Sequence, residues 1–168
     1  MAKYISNKVA NKQPVISGDD KGTLIADDFT VAVDVNLAAN DLILFGKLPN
    51  SHEPVDGYVA SDQLDSNGAP TLTLTFGILN DAGDDLVANT DFLTADATIG
   101  RTANSFTRFD NVLGLTLPAV TAVDQVNDKG TKNTYVRNGD RILAAKVIGA
   151  AATKVAGNIT TVFTYRAV

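Results

Sequence analysis

From Phe29 onward the chain alternates. Phe29, Val31, Val33 and Val35 are interleaved with Thr30, Ala32, Asp34 and Asn36, the period of two expected of a strand with one buried face. The same pattern returns in residues 71–78, where Leu72, Leu74, Phe76 and Ile78 face one way and Thr71, Thr73 and Thr75 the other. It returns again in residues 158–166, where Thr161, Phe163 and Tyr165 alternate with Val162 and Thr164. Leu42-Ile43-Leu44-Phe45 breaks the alternation by being apolar at every position, which predicts a short strand covered on both faces. Further strands are predicted over 55–60, 112–117, 133–137 and 141–148. Turns fall at Asn40-Asp41, at 65–70 and at Asn80-Asp81-Ala82-Gly83. Asn138-Gly139 reads as a hairpin dipeptide, since both residues tolerate positive φ. Residues 90–99 stay open between two readings: a single helical turn capped by Asp91 and carrying Phe92 and Leu93, or an extended loop.

Eight or nine short strands with no alternating helices predict an all-β domain, an antiparallel β-sandwich of jelly-roll type. Residues 1–28 lack this periodicity and contain Gly18-Asp19-Asp20-Lys21-Gly22, so they read as an extended N-terminal arm ahead of a sandwich domain spanning 29–168. Composition agrees. Eighteen aspartates stand against one glutamate, Glu53, and aspartate favours turns where glutamate favours helices. Eighteen threonines, seventeen valines and thirteen glycines complete a strand-and-turn inventory. With 168 residues, 45 % of them hydrophobic, the chain is large enough to bury a single core without cross-links.

Charge is placed in blocks. Residues 41–98 hold ten acids and one base, Lys47, whereas residues 99–168 hold nine bases and four acids, within a net charge of −5. Strand order can interleave such blocks into mixed solvated faces, or leave a polarised surface suited to head-to-tail contact. Lys3, Lys8 and Lys12 precede any acid, so a basic tail leads an acidic protein and suggests an acidic partner surface. The first 28 residues never gather the apolar run of a signal peptide, and no stretch approaches a membrane span. The expectation is a protein that works without a membrane. Net negative charge likewise argues against nucleic acid as a partner.

The inventory of reactive groups is thin. There is no cysteine, hence no disulfide and no thiolate chemistry. The single histidine, His52, lies in Pro49-Asn50-Ser51-His52-Glu53-Pro54, where sequence neighbours cannot by themselves converge as a catalytic triad. A solvated loop histidine is expected. Residues 62–68 resemble a calcium loop, but with Gly68 at the sixth position the first falls on Gln63 and the twelfth on Leu74, which supplies no ligand. Asx-turn chemistry at a hairpin accounts for the same residues, and Asp19-Asp20 and Asp84-Asp85 read as turn carboxylates. No cofactor, metal or catalytic residue is expected, so the chain is read as a non-enzyme.

Two stretches carry a resemblance. Residues 39–49, with Asn40-Asp41-Leu42-Ile43-Leu44-Phe45-Gly46, continue through Pro54-Val55-Asp56-Gly57-Tyr58 to residues 61–74. Together with the closing Gly157-Asn158-Ile159-Thr160-Thr161-Val162-Phe163-Thr164-Tyr165, they resemble the head decoration, or cement, proteins of tailed bacteriophages. That resemblance implies a jelly-roll or related sandwich without catalytic residues, located on the virion capsid surface after synthesis in the host cytoplasm. It implies a homodimer or homotrimer that clamps neighbouring major capsid protein subunits. The expected attachment is through the arm, with Lys3, Tyr4, Lys8 and Lys12 reaching a neighbouring subunit. A second reading is a carbohydrate- or receptor-binding sandwich of a phage head or tail fibre. Without tryptophan, its aromatic platform would fall to Tyr4, Tyr58, Tyr135 or Tyr165.

Overall fold

A computed structural model describes residues 1–10, 24–48, 52–88, 90–111 and 141–167. In chain order the elements are β1 (Lys3–Ile5), α1 (Asn7–Ala10), β2 (Leu24–Val33), β3 (Leu42–Leu48), β4 (His52–Ser61), β5 (Thr73–Ile78), β6 (Ser105–Arg108), β7 (Arg141–Gly149) and β8 (Gly157–Ala167). They build two four-stranded sheets, β1-β3-β7-β5 and β2-β8-β4-β6. All pairings are antiparallel except β1 with β3. Among the described strands, each one in sequence lies in the opposite sheet from the one before it. No two consecutive strands therefore pair, and every ladder is long-range.

The alternating positions do what their period predicts. Phe29, Val31 and Val33 of β2 point into the sandwich, as do Leu74, Phe76 and Ile78 of β5 and Ile159, Phe163 and Tyr165 of β8. Rings of Phe45, Phe76, Phe109, Phe163 and Phe92 form a chain of contacts through the core, with centroids 5.0–5.9 Å apart. Gly46 sits at a bulge in β3. A Cβ there would lie 2.1 Å from the Phe29 ring, so only glycine lets the two strands meet across the core.

β3 is buried at every position, as its uninterrupted apolar run requires. Ile43 and Phe45 face the main core. Leu42 and Leu44 face outward, and with Ile142 and Ala144 of β7 they form a second cluster. The cover for that cluster comes from residues 3–10. β1 pairs with β3 in register Lys3↔Leu42 to Ile5↔Leu44, and α1 places Val9, fully buried, on the outer face of the sheet beside Leu79 and the partly buried Ile5 and Leu86. Outward leucines on a central strand cost free energy in water, and the chain's own N-terminal segment removes them from it. Residues 24–28 are also built into the sandwich. They extend β2 in an unbroken ladder with β8, from Leu24↔Arg166 to Asp28↔Val162.

Residues 90–99 take the extended alternative. They contain no helix and run beside β5, with Ala97 bridging Leu74 in both directions (2.7 and 3.0 Å). The strands predicted at 112–117 and 133–137, the Asn138-Gly139 hairpin and the Gly18–Gly22 punctuation lie outside the described residues.

Candidate interaction surfaces

The N-terminal residues read as partner contacts are placed as follows. Lys3 is exposed on β1. The Tyr4 hydroxyl donates to Asp34 Oδ1 at 2.9 Å. Burial and that hydrogen bond push Tyr4 up to about 12. Lys8 is engaged within the chain: its ammonium pairs with Asp27, donates to the Asp28 carbonyl at 2.6 Å and lies 4.8 Å from the Phe29 ring centroid. Lys12 lies outside the described residues. Tyr4 and Lys8 thus hold the segment to its own sandwich, which the sequence could not reveal because Asp27, Asp28 and Asp34 read as unremarkable solvent positions.

His52 departs from the expected solvated loop. It opens β4, is 3 % exposed, and meets Tyr165 edge-on with ring centroids 5.4 Å apart. Glu53, its neighbour in sequence, turns to the other face and pairs with Arg166 across the ladder, at 2.6 Å to Nε. No acid from the Ser51-His52-Glu53 run orients the imidazole, and among the described residues no group of His, Asp or Glu is arranged to hold a metal.

Asp65 makes the Asx turn expected of it, accepting from the Asn67 N–H at 3.2 Å, and does much more. Its carboxylate is fully buried and also accepts from the backbone N–H groups of Thr71 (2.8 Å), Leu72 (3.2 Å), Ala152 (2.9 Å) and Thr153 (3.0 Å). Burial alone would raise this carboxyl, but backbone hydrogen bonds from Thr153, Ala152, Thr71 and Asn67 hold it well below the usual carboxylate range. The turn after β4 is thereby fastened to the β7–β8 connection, with Asp65 and Ala152 87 residues apart in sequence. Its role is structural rather than cation-binding. Asp84 and Asp85 also belong to a turn, where Asn80 holds the Asp84 side chain and Lys146 meets Asp85 at 2.8 Å.

The two sheets differ in what covers them. The β1-β3-β7-β5 sheet is roofed by α1 and the 79–86 turn, whereas among the described residues no element covers the outer face of β2-β8-β4-β6, whose side chains stand in cross-strand rows. One row reads Asp28, Val162, Tyr58, Arg108, and the next Thr30, Thr160, Ala60, Phe106. Phe106 is 62 % exposed and Tyr58 37 %, and their rings lie 5.1 Å apart. Beside Phe106 a groove of about 320 Å³ opens toward the ends of the strands, lined also by Asp62, Asn104, Asn158 and Thr160. The flanking charges are paired on the same face: Arg108 grips Asp56 through two hydrogen bonds of 2.9 and 2.8 Å. Of the tyrosines that could serve as a platform, Tyr58 alone among the described residues is on this face. Tyr165 is core, Tyr4 is tied to Asp34, and Tyr135 lies outside the described residues. Phe106 was not legible as a surface residue because strand phenylalanines are usually core.

The described residues form a two-sheet β-sandwich with one sheet roofed by the chain's own N-terminal segment. Comparison with known proteins finds the same fold in chains from two phage capsids. A chain from the capsid of Ralstonia phage GP4 shares the fold at a TM-score of 0.74 and 25 % identity, over 99 % of each chain. A chain from the capsid asymmetric unit of cyanophage Pam1 shares it at a TM-score of 0.55 and 18 % identity, over 94 % of this chain and 96 % of that one. No protein-family model and no curated protein matches.

Proposed function

We propose that this protein is a structural component of a phage head, which decorates the shell and stabilises it by bridging neighbouring major capsid subunits. The observation that carries this reading is the end-to-end likeness to the GP4 capsid chain, 25 % identical with 99 % of both chains aligned. Strand order supports the finer reading of a jelly roll. With β1 set aside as an added edge, β2-β8-β4-β6 and β3-β7-β5 have the strand orders of the two sheets of that fold, and Ala97 bridging β5 stands where a fourth strand would lie. A protein in this role needs no reaction centre. It needs a rigid body and surfaces whose many weak contacts add up over a repeating shell.

Self-association into a dimer or trimer belongs to the same proposal, as does an acidic surface on the neighbouring subunit. Lys3, Tyr4, Lys8 and Lys12 are the contacts this proposal assigns to it, with Tyr4 and Lys8 also engaged within the chain's own fold. The test is cosedimentation with heads assembled without the protein. Saturable binding at a fixed ratio to capsid subunits, with a higher disruption temperature for coated heads, is the expected outcome. Protein that stays in the supernatant at every concentration overturns the proposal.

A further inference from the structure

We propose that the groove beside Phe106, at the ends of β4, β6 and β8, binds a neutral saccharide, with one pyranose ring packed on Phe106 and its hydroxyls read by Asp62 and the adjacent amides. This inference rests on the groove alone and is independent of the role in the head.

Phe106 projects from a four-residue edge strand with 62 % of its surface exposed. Tyr58 on the neighbouring strand backs it at 5.1 Å, an inclined ring pair that limits how far Phe106 can fold down onto the sheet. Ala60 and Thr160, in the same cross-strand row, make a flat floor. Asp62 lines the same groove. Its Oδ2 accepts from the backbone N–H of Asn158 at 2.8 Å and from Asn158 Nδ2 at 3.2 Å. Its Oδ1 makes no hydrogen bond among the described residues and is left to accept from a ligand. Gly157 permits this placement, since a Cβ there would stand 2.9 Å from Asp62 Cβ. Asn104, held in the left-handed region at φ 54°, completes the rim with a side-chain amide that both donates and accepts.

The chemistry of the lining selects the ligand. A carboxylate with no cation among the groove residues disfavours phosphates, sulfates and other anions. A wholly apolar ligand would strip water from Asp62 and return no hydrogen bond. A pyranose meets both halves of the site: an apolar C–H face for the ring, and vicinal hydroxyls that donate to the carboxylate while accepting from amides. About 320 Å³ stands at the lower end of small-molecule sites and suits one or two sugar rings. The groove is open, so affinity for a single ring should be weak, with Kd about 1 mM.

The test uses the full chain, labelled with nitrogen-15 and titrated to tens of millimolar with methyl glucopyranoside, methyl galactopyranoside and N-acetylglucosamine, alongside a glycan array. The expected result is saturable shifts for at least one probe or array glycan, confined to amides near Asp62, Asn104, Phe106 and Asn158. Phe106→Ala and Asp62→Asn should each weaken binding about tenfold, while Phe106→Tyr retains it. Both weakened positions are exposed, and thermal unfolding of each variant should match the parent chain. The inference is overturned if no probe and no array glycan shifts these amides, or if binding survives both Phe106→Ala and Asp62→Asn.

Discussion

Asp65 shows what one side chain can decide. Five backbone N–H groups point at its carboxylate from two loops that are remote in sequence. Replacing it with alanine strands several buried donors at once, so Asp65→Ala should cost at least about 3 kcal/mol, while Asp65→Asn, which keeps one acceptor oxygen, should cost less. Urea unfolding checks both. The sign of the pH effect follows from the lowered carboxyl. Above the unfolded value, about 4, the stabilisation is fully present, and it is lost as pH falls from there through the lower folded value. At the other end, burial and the charge of Asp27 push Tyr165 up to about 12, from 10.0. The unfolded chain loses its tyrosine proton first, so stability should fall as pH rises from about 10 to about 12. A stability profile flat across both limbs would contradict these assignments. In Asp65→Asn the acid limb should shrink and the alkaline limb remain.

At the scale of elements, the N-terminal segment is the telling case. Its own residues give no periodic signal, yet β3 announces the need for it, because Leu42 and Leu44 cannot face water while Ile43 and Phe45 face the core. Residues 3–9 meet that need through a short parallel ladder, a single helical turn and the buried Val9. Val9→Asp should therefore destabilise the fold by about 3 kcal/mol or more, since it buries a charge among leucines. Lys3→Ala, at an exposed position of the same segment, should stay within about 0.5 kcal/mol. Denaturant melts of the two variants separate a segment built into the fold from a detached arm, in which both would be silent. A smaller effect of the same kind governs β2: the alternation starts visibly at Phe29, but pairing with β8 starts at Leu24. Hydrogen bonding extends a strand past the point where side chains report a buried face.

For the whole molecule, topology and charge are linked. Because successive described strands change sheets, residues distant in sequence become neighbours, and the acidic block of 41–98 meets the basic block of 99–168 pair by pair. Asp85 meets Lys146, Asp56 meets Arg108, and Glu53 meets Arg166. The outcome at these places, among the described residues, is mixed solvated faces. Exposed pairs of this kind contribute little to stability, but Asp56–Arg108 and Glu53–Arg166 neutralise each other's charge on the β2-β8-β4-β6 sheet. The same topology makes folding wait on long-range loop closure. Refolding followed by tyrosine fluorescence should take milliseconds to seconds, and completion within microseconds would be inconsistent with this strand order.

Local chemistry controls the features legible from residue order: the strand periods of β2, β5 and β8, the doubly buried β3, the turns rich in aspartate, asparagine and glycine, and the sparse set of reactive groups. Each depends on backbone preference and on a side chain choosing between water and a core, both readable within a few residues. Tertiary structure alone decided which carboxylate became a buried hub, that His52 is core while Phe106 is surface, and that residues 1–10 roof one sheet. Those outcomes depend on which strands lie side by side. Hydrogen bonds and apolar burial act between whatever groups the fold brings within a few ångströms, whatever their separation along the chain.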